Sequence, residues 1–295
     1  MVDVRLVPLS AADLAAWRDQ SEAAGSPLPV PEPGDGYDAR EVVVDDVAVG
    51  GVVLTTAPDG LLVRCSIREL QTTLSPDDGP RWAAVVAALE ACARELGADT
   101  MVTSIAPDLV PPFRDAGFGA TMTTHGKELE PDSPLELQED QRVAVRPMTP
   151  AERTAFVTEA QVFLRSGMDR AGVAGADATL AGLDGRLAAL AEDPPPTDEL
   201  LMVGTVDGTP VGRAWATLRR ADDGTLDFLG NTLDLFPEHR GQGLTKSFLG
   251  ALRRHVHEIG VRAVTLNVYG HDAGARRTFL DNGAGIGRVL LRKDL

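Results

Sequence analysis

Between Leu244 and Gly260 the apolar positions recur every three or four residues. Leu244, Phe248, Leu249, Leu252, Val256 and Ile259 form the stripe of an amphipathic helix, and Gly260 closes it. The runs around this helix read as strands. Leu200–Val206, Val211–Arg219 and Leu226–Phe236 are short and apolar; Asp207-Gly208 makes a tight hairpin turn between the first two, and Asp222-Asp223-Gly224 joins the next. Val261–Tyr269 predicts another strand, Ala273–Leu280 a short helix and Val289–Leu295 a last strand. Pro194-Pro195-Pro196 breaks a helix that ends near Glu192. In the first half, Trp82, Val85, Val86, Leu89 and Leu96 share a helical face. The order predicts an α+β fold: a mixed, mostly antiparallel sheet with helices on both faces.

The order occurs twice. Pro8-Leu-Ser-Ala-Ala-Asp13 and onward to Trp17 runs parallel to Pro147-Met-Thr-Pro-Ala-Glu152 and onward to Phe156. Each has a Ser or Thr cap, an acid three residues later and then an aromatic, which is a helix start after a strand. Val49-Gly50 matches Val211-Gly212, and Phe113-Arg-Asp-Ala-Gly117 matches Phe279-Leu-Asp-Asn-Gly283. Three matches in one order point to a tandem duplication whose second copy carries an insertion. The acidic stretch from Glu128 to Gln141, ELEPDSPLELQEDQ, reads as the boundary. The expected organisation is one domain over 1–127, a linker over 128–142 and a second domain over 143–295. The stretch Ser26–Gly36, SPLPVPEPGDG, reads as a surface loop.

Length and composition agree with this division. The 295 residues suit two domains of roughly 150 each, and 43 % apolar residues give each half a core to bury. Two cysteines without CxxC spacing and five histidines leave little room for a metal cluster or disulfide framework, and Cys92 lies in an apolar helical run as a small core residue. Acids outnumber bases 44 to 28, a net charge of −16. That field repels phosphate backbones and anionic bilayers, so neither a nucleic acid nor a membrane is an expected partner; a cationic amine would be attracted. The start, MVDVRLVPLSAADL, has neither a basic nor an apolar leader region, and no apolar run is long enough to span a bilayer. The expectation is a soluble, cytoplasmic protein.

The segment that carries chemistry is Leu235-Phe-Pro-Glu-His-Arg-Gly-Gln-Gly-Leu-Thr-Lys246, a strand passing through a glycine loop into the helix. Gly241 and Gly243 let the backbone approach a ligand, and the helix start behind them offers free N–H groups and partial positive charge. This is an anion site, best suited to a pyrophosphate. Arg240, Lys246, Arg253 and Arg254 add local positive charge. It is not a nucleotide P-loop, because with Lys246-Ser247 as its last pair the two required glycines would be Arg240 and Thr245.

Arg240-Gly-Gln-Gly-Leu-Thr245 resembles the acyl-CoA-binding motif R-x-x-G-x-G/A of the GCN5-related N-acetyltransferases (GNAT). Downstream, Leu266-Asn-Val-Tyr-Gly-His-Asp-Ala-Gly-Ala-Arg-Arg-Thr-Phe279 followed by Gly283 resembles that family's fifth strand and next helix, N-x-x-A-x-x-x-Y-x-x-x-G-F. The resemblance covers 143–295 and extends weakly through the repeat to the first half. It implies two tandem GNAT-like domains, each with a sheet splayed between its fourth and fifth strands. It implies acetyl-CoA as cofactor, with backbone groups of Leu233 and Leu235 on the pantetheine arm. The N–H groups of Arg240, Gly241, Gln242, Gly243, Leu244 and Thr245 would hold the pyrophosphate. The implied reaction is direct attack of a small-molecule amine on the thioester, a strand N–H stabilising the oxyanion.

Four motif positions depart from the family. Thr245 replaces Gly or Ala, Asp272 replaces the usual Asn near the cofactor arm, and Ala284 replaces Phe. Phe279 stands where a Tyr commonly protonates the leaving thiolate, which leaves Tyr269 as the candidate acid and Asp234 as the candidate base. Strand alternation puts Asp234 with Thr232 and Phe236 on one face, opposite Leu233 and Leu235. In the first half the equivalent window, Leu74-Ser-Pro-Asp-Asp-Gly-Pro-Arg81, has two acids and a proline where phosphate would bind, so residues 1–127 are expected to keep the fold without CoA. The alternative to an acetyltransferase is a CoA- or ligand-binding protein of this fold without acetyl transfer, or an enzyme that uses it for other chemistry.

Overall fold

The computed structural model describes residues 2–23, 28–29, 36–129, 141–173, 176–221 and 224–295. Most of the expected linker at 128–142, nearly all of the proline-rich loop at 26–36 and the centre of the turn at 222–224 lie outside the described residues.

The chain forms two compact units. The first comprises Met1–Met122 and Gly172–Gly175 with Arg288–Leu295, and the second Thr123–Ala171 and Ala176–Gly287. In the first, the elements run β1 (Val4–Pro8), α1 (Ala11–Ala23), β2 (Gly36–Val44), β3 (Val47–Asp59), β4 (Leu62–Thr72), α2 (Gly79–Glu95), β5 (Thr100–Ile105) and α3 (Val110–Asp115), followed by β6 (Gly119–Glu128). The second continues with β7 (Ala144–Pro147), α4 (Pro150–Ala171), α5 (Ala176–Leu190), β8 (Glu199–Val206), β9 (Thr209–Arg220), β10 (Leu226–Leu235), α6 (Leu244–Glu258), β11 (Val261–Tyr269), α7 (Ala273–Asp281) and β12 (Gly285–Asp294). The expected insertion is the replacement of one helix, α1, by two, α4 and α5.

Each unit has an antiparallel meander that meets a single parallel neighbour: β1-β2-β3-β4 then β5, and β7-β8-β9-β10 then β11. A helix, α2 or α6, makes each parallel crossover, as such a connection requires. Beyond β5, the last residues of β12 pair antiparallel, Val289 opposite Ile105 and Asp294 opposite Thr100. Beyond β11, the neighbouring strand is β6. Residues 123–128 thus complete the second unit and 288–295 the first.

The repeat has local causes. Ser10 Oγ and Asp13 form a capping box at the start of α1, and Thr149 with Glu152 forms the same box at α4. After α3 and α7, Phe118 N donates to Phe113 O and Ala284 N to Phe279 O, both at 3.1 Å, around Gly117 and Gly283 at φ 94° and 78°. These are helix-ending turns that need a left-handed residue. Asp207 and Gly208, at φ 49° and 78°, make the expected hairpin turn.

Phe248 of α6 packs with Met202, Val211, Ala214 and Leu235. The buried face of α6 is Leu244, Ser247, Phe248, Ala251, Leu252 and Val256. Ile259, expected on that stripe, is exposed because it lies past the last turn as the C-cap. In the first unit α2 buries Trp82, Val85, Val86, Leu89 and Cys92. Burial pushes the Cys65 thiol up to about 12, and Cys92 is likewise buried and raised, so neither is a reactive thiolate at neutral pH.

Candidate acyl-CoA site

The site begins where two strands part. β10 runs parallel to β11 from Leu226 opposite Val261 to Gly230 opposite Leu266, and there the pairing stops. On its other side β10 stays paired with β9 to its end, Leu235 opposite Gly212. One residue is extra: Gly230 faces Ala216 and Thr232 faces Trp215, so Asn231 is a bulge. A bulge bends its strand and adds twist, which turns the end of β10 away from β11 and opens a notch.

Backbone direction follows from one bond. Phe236 N donates to Val211 O at 3.0 Å, so residues 234 and 236 aim their peptide groups at β9. By alternation Leu233 and Leu235 aim theirs into the notch, where no strand takes them. Their side chains pack toward α6, leaving Thr232 and Asp234 on the α4 face. Gly212 permits this approach, since a Cβ there would lie 2.5 Å from Asp234 O.

A short turn at Pro237–His239 leads to the glycine loop. Gly241 and Gly243 both have φ 73°, and a Cβ on Gly241 would meet nothing within 4 Å; backbone conformation, not space, requires glycine there. Gly243 is the N-cap of α6 and no side chain caps the helix. The first-turn N–H groups, including those of Leu244 and Thr245, are free to hold an anion. The loop is braced from beneath. Arg240 Nε donates to Leu235 O at 2.9 Å and its Nη2 to Asp234 Oδ1 at 2.8 Å, while Gln242 Nε2 donates to Glu238 O at 2.9 Å. Gln242 therefore offers its backbone, not its side chain. Asp234 holds the loop arginine.

Two further residues bear on the loop, and both sit beyond the motif that revealed it. Arg142 Nη1 donates to Gln242 O at 3.5 Å and its Nη2 would lie 3.7 Å from a Cβ on Gly243. Ser247 Oγ is buried and accepts from Val143 N at 2.9 Å, which ties α6 to the lead-in of β7.

The whole chain has solved relatives in shape. A GCN5-related N-acetyltransferase from Sphaerobacter thermophilus is similar over 99 % of this chain and 95 % of its own, at 17 % identity and a TM-score of 0.50. The fold is that of the GCN5-related N-acetyltransferases. A tandem GNAT protein from the clavulanic acid biosynthesis pathway, solved without acetyl-CoA, is similar over 99 % of this chain and 98 % of its own at 17 % identity and TM-score 0.46. An acetyltransferase of the GNAT family from Colwellia psychrerythraea matches over 99 % of each chain at 15 % identity and TM-score 0.48. No family profile and no curated protein matches the sequence.

In GNAT terms β10 and β11 are the fourth and fifth strands, and the remaining candidates line up along β11 and α7. Tyr269 ends β11. Its ring lies on Gly167 of α4, where a Cβ would fall 2.5 Å from it, and stacks on His271 with centroids 5.8 Å apart. Burial raises the phenol pKa, which keeps its proton in place. Asp272 caps α7, accepting from Ala275 N at 2.8 Å, a role that Asn would fill equally well. Phe279 packs against His125, centroids 6.1 Å apart. His125 comes from β6, is fully buried, and bonds Thr123 Oγ1 through Nε2 at 3.0 Å while its Nδ1 has no partner. Burial first and Arg276 second lower its pKa. No motif marks this histidine in the sequence.

The first unit keeps the notch and loses the anion site. β4 leaves β5 after Ile67 opposite Thr103, beside a bulge at Arg68. At the start of α2, however, Asp78 accepts from Arg81 N at 3.4 Å, and Pro80 contributes no N–H. A carboxylate sits where a phosphate would. Trp17 Nε1 also ties α1 to the diverging strand through Gln71 Oε1 at 2.8 Å. Among the described residues there is no cluster able to hold a metal and no helix long and apolar enough to cross a membrane.

Proposed function

We propose that the chain is an N-acetyltransferase that moves an acetyl group from acetyl-CoA to the amine of a small molecule, with its active site in the second unit. The observation that carries the reading is the coincidence, in that unit alone, of a parted β10–β11 pair with an uncapped helix N-terminus behind Gly241 and Gly243. Acetyl-CoA supplies an activated acetyl thioester. The N–H groups from Gly241 to Thr245 suit its pyrophosphate, with Asp234 fixing the Arg240 side chain; the Arg240 N–H, expected among these donors, instead closes the preceding turn on Pro237 O at 3.3 Å. The backbone of Leu233 and the N–H of Leu235, whose carbonyl is taken by Arg240, suit the pantetheine arm, and one of these N–H groups suits the thioester oxygen. Asp272 shapes the start of α7 beside the arm. Tyr269, at the end of β11 and kept protonated by burial, is the candidate proton donor to the leaving sulfur.

A second reading, cofactor binding without transfer, is favoured by Phe279, which has no proton to give. Two measurements separate the readings. Acetyl-CoA at about 100 times its Kd should stabilise the protein by about 2.7 kcal/mol in thermal unfolding, and Arg240→Glu, which removes the brace of the loop, should abolish that shift. Thiol release across a panel of amines then decides transfer. No shift at millimolar ligand would remove both readings.

A further inference from the structure

The bulge residue Asn231 is held by an ordered side-chain network. Its Nδ2 donates to Thr217 Oγ1 at 2.9 Å, and Arg186 of α5 donates to the same oxygen. Arg186 also clamps Glu199 through Nε at 2.5 Å and Nη2 at 3.1 Å. Glu199, with a side chain only 4 % exposed, accepts from Trp215 Nε1 at 2.7 Å, and the guanidinium lies 4.8 Å from that indole's centre. Four side chains from α5, β8 and β9 thus hold the Asn231 amide, through Thr217, with its Nδ2 inward. Its Oδ1 receives no donor from any described residue, and the residue itself is the bulge after which β10 leaves β11.

The carboxylates around that point are engaged. Glu199 holds Arg186, Asp234 holds Arg240 at 2.8 Å, and Glu159 of α4 holds Arg213 at 2.7 Å. Asp227 is four residues back on β10, in the stretch still paired with β11, about 13 Å away at strand spacing. Glu238 lies past the end of the strand. A carboxylate locked to a guanidinium must release it before it can hold an ammonium or take its proton. What the parted end of β10 offers an incoming nitrogen is neutral: Asn231 Oδ1, with the unpartnered Thr232 Oγ1 next along the strand.

We propose that Asn231 Oδ1 binds the acceptor amine as the free base, through one of its N–H groups, and that the acceptors are weakly basic amines: aromatic amines, 2-amino sugars and hydroxylamines. The inference rests on the acetyl-transfer reading. An alkylamine, with a pKa near that of lysine at about 10.4, is free base in only about one molecule in 2,500 at pH 7. The charged remainder has no lone pair for attack, and a site without an available carboxylate has no base to restore it. In the step itself the nitrogen lone pair forms the N–C bond, the C–S bond breaks with its electrons on sulfur, and sulfur takes the Tyr269 proton. The acetylated nitrogen loses its extra proton to water, from which Tyr269 is reprotonated. Asn231 touches the acceptor; Thr217, Arg186 and Glu199 are positioning residues.

The test is kcat/KM against pH for aniline, glucosamine, O-methylhydroxylamine and benzylamine with the full-length protein, beside the acetyl-CoA thermal shift. The proposal expects the three weak bases to be preferred at pH 7, and a pH break that moves with the pKa of each amine. Asn231→Leu should lower kcat/KM at least tenfold, mainly through the amine KM, with the acetyl-CoA shift unchanged. Thr217→Val should do the same more mildly, and Thr217→Ser should restore it. Asn231→Asp should raise benzylamine turnover and fix the break. One break for all amines, benzylamine as the best substrate, or an unaffected Asn231→Leu would overturn the assignment and leave the transfer reading standing. An acetyl-CoA shift with no amine acetylated would remove transfer and this assignment together, and no shift would remove the cofactor site itself.

Discussion

At Glu152 four donors from two residues converge. Arg146 donates two hydrogen bonds at 2.7 and 2.8 Å, and Thr149 adds its N–H at 2.8 Å and its hydroxyl at 3.0 Å. Together, and led by Arg146, they hold the carboxyl at about 2 against an ordinary 4.5. The folded state thus keeps the carboxylate ionised where the unfolded chain is already protonated. Its contribution is full above pH 4.5 and is lost as pH falls toward 2. Glu152→Gln should flatten that part of the Tm–pH curve relative to wild type, and Thr149→Ala should cost about 1 kcal/mol at neutral pH. The buried imidazole of His125 works through the same linkage. Its folded pKa is lowered from 6.5, so below that value the unfolded chain binds the proton first and stability falls with acidification. His125→Phe should remove this component between pH 7 and 5; parallel curves for the two proteins would show that the ring is hydrated in the native state. The two residues differ in legibility. Glu152 announces itself by its spacing from Thr149, whereas His125 matters only because β6 lies beside β11, a pairing that no local pattern encodes.

At the scale of elements, what could be read was what repeats or alternates. The α6 stripe, the Asp207-Gly208 turn and the strand order all follow from periodicity and turn chemistry, and the glycine loop follows from its need for left-handed residues. The bulge did not show. Phe228-Leu-Gly-Asn-Thr-Leu233 reads as an unbroken strand, because one inserted residue leaves the apolar content of the run unchanged. Beside it Gly230 is closed to a side chain by Leu266 on β11, whose Cδ2 would lie 2.1 Å from a Cβ there, and beyond it Gly212 on β9 is closed by Asp234 O. The matching Gly50 of β3 is likewise closed to a side chain, a Cβ there meeting Gln71 O at 1.9 Å beside the end of β4. This is why Val-Gly recurs in both halves. Gly212→Val should therefore act on the cofactor segment rather than on a remote strand. It should displace Asp234–Leu235, lower stability by roughly 1–3 kcal/mol, and weaken acetyl-CoA binding, readable as a smaller thermal shift at fixed ligand.

Across the whole molecule, net charge and chain order both say less than they suggest. The −16 of the sequence invites a cationic partner, yet Glu159, Glu199 and Asp234 are each paired with an arginine around the notch. Chain order likewise assigns the last strand to the second half, while contacts assign its final residues to the first unit. There Lys293 Nζ donates to Glu90 Oε1 and to Ala116 O, both at 2.6 Å, and Leu291 is 1 % exposed opposite Thr103 of β5. A C-terminal substitution should consequently be felt in the N-terminal unit. Leu291→Ala creates a cavity in that core, and a buried leucine truncated to alanine costs about 2–5 kcal/mol. Amide hydrogen exchange is the measurement, because two units need not unfold as one and a single Tm would average them. Protection should fall in β4, β5 and α2, around Trp82, with smaller loss in β8 and β9 around Trp215. Equal loss in both units would mean that they unfold together, and loss confined to the second would mean that residues 288–295 stabilise the half from which they come in sequence.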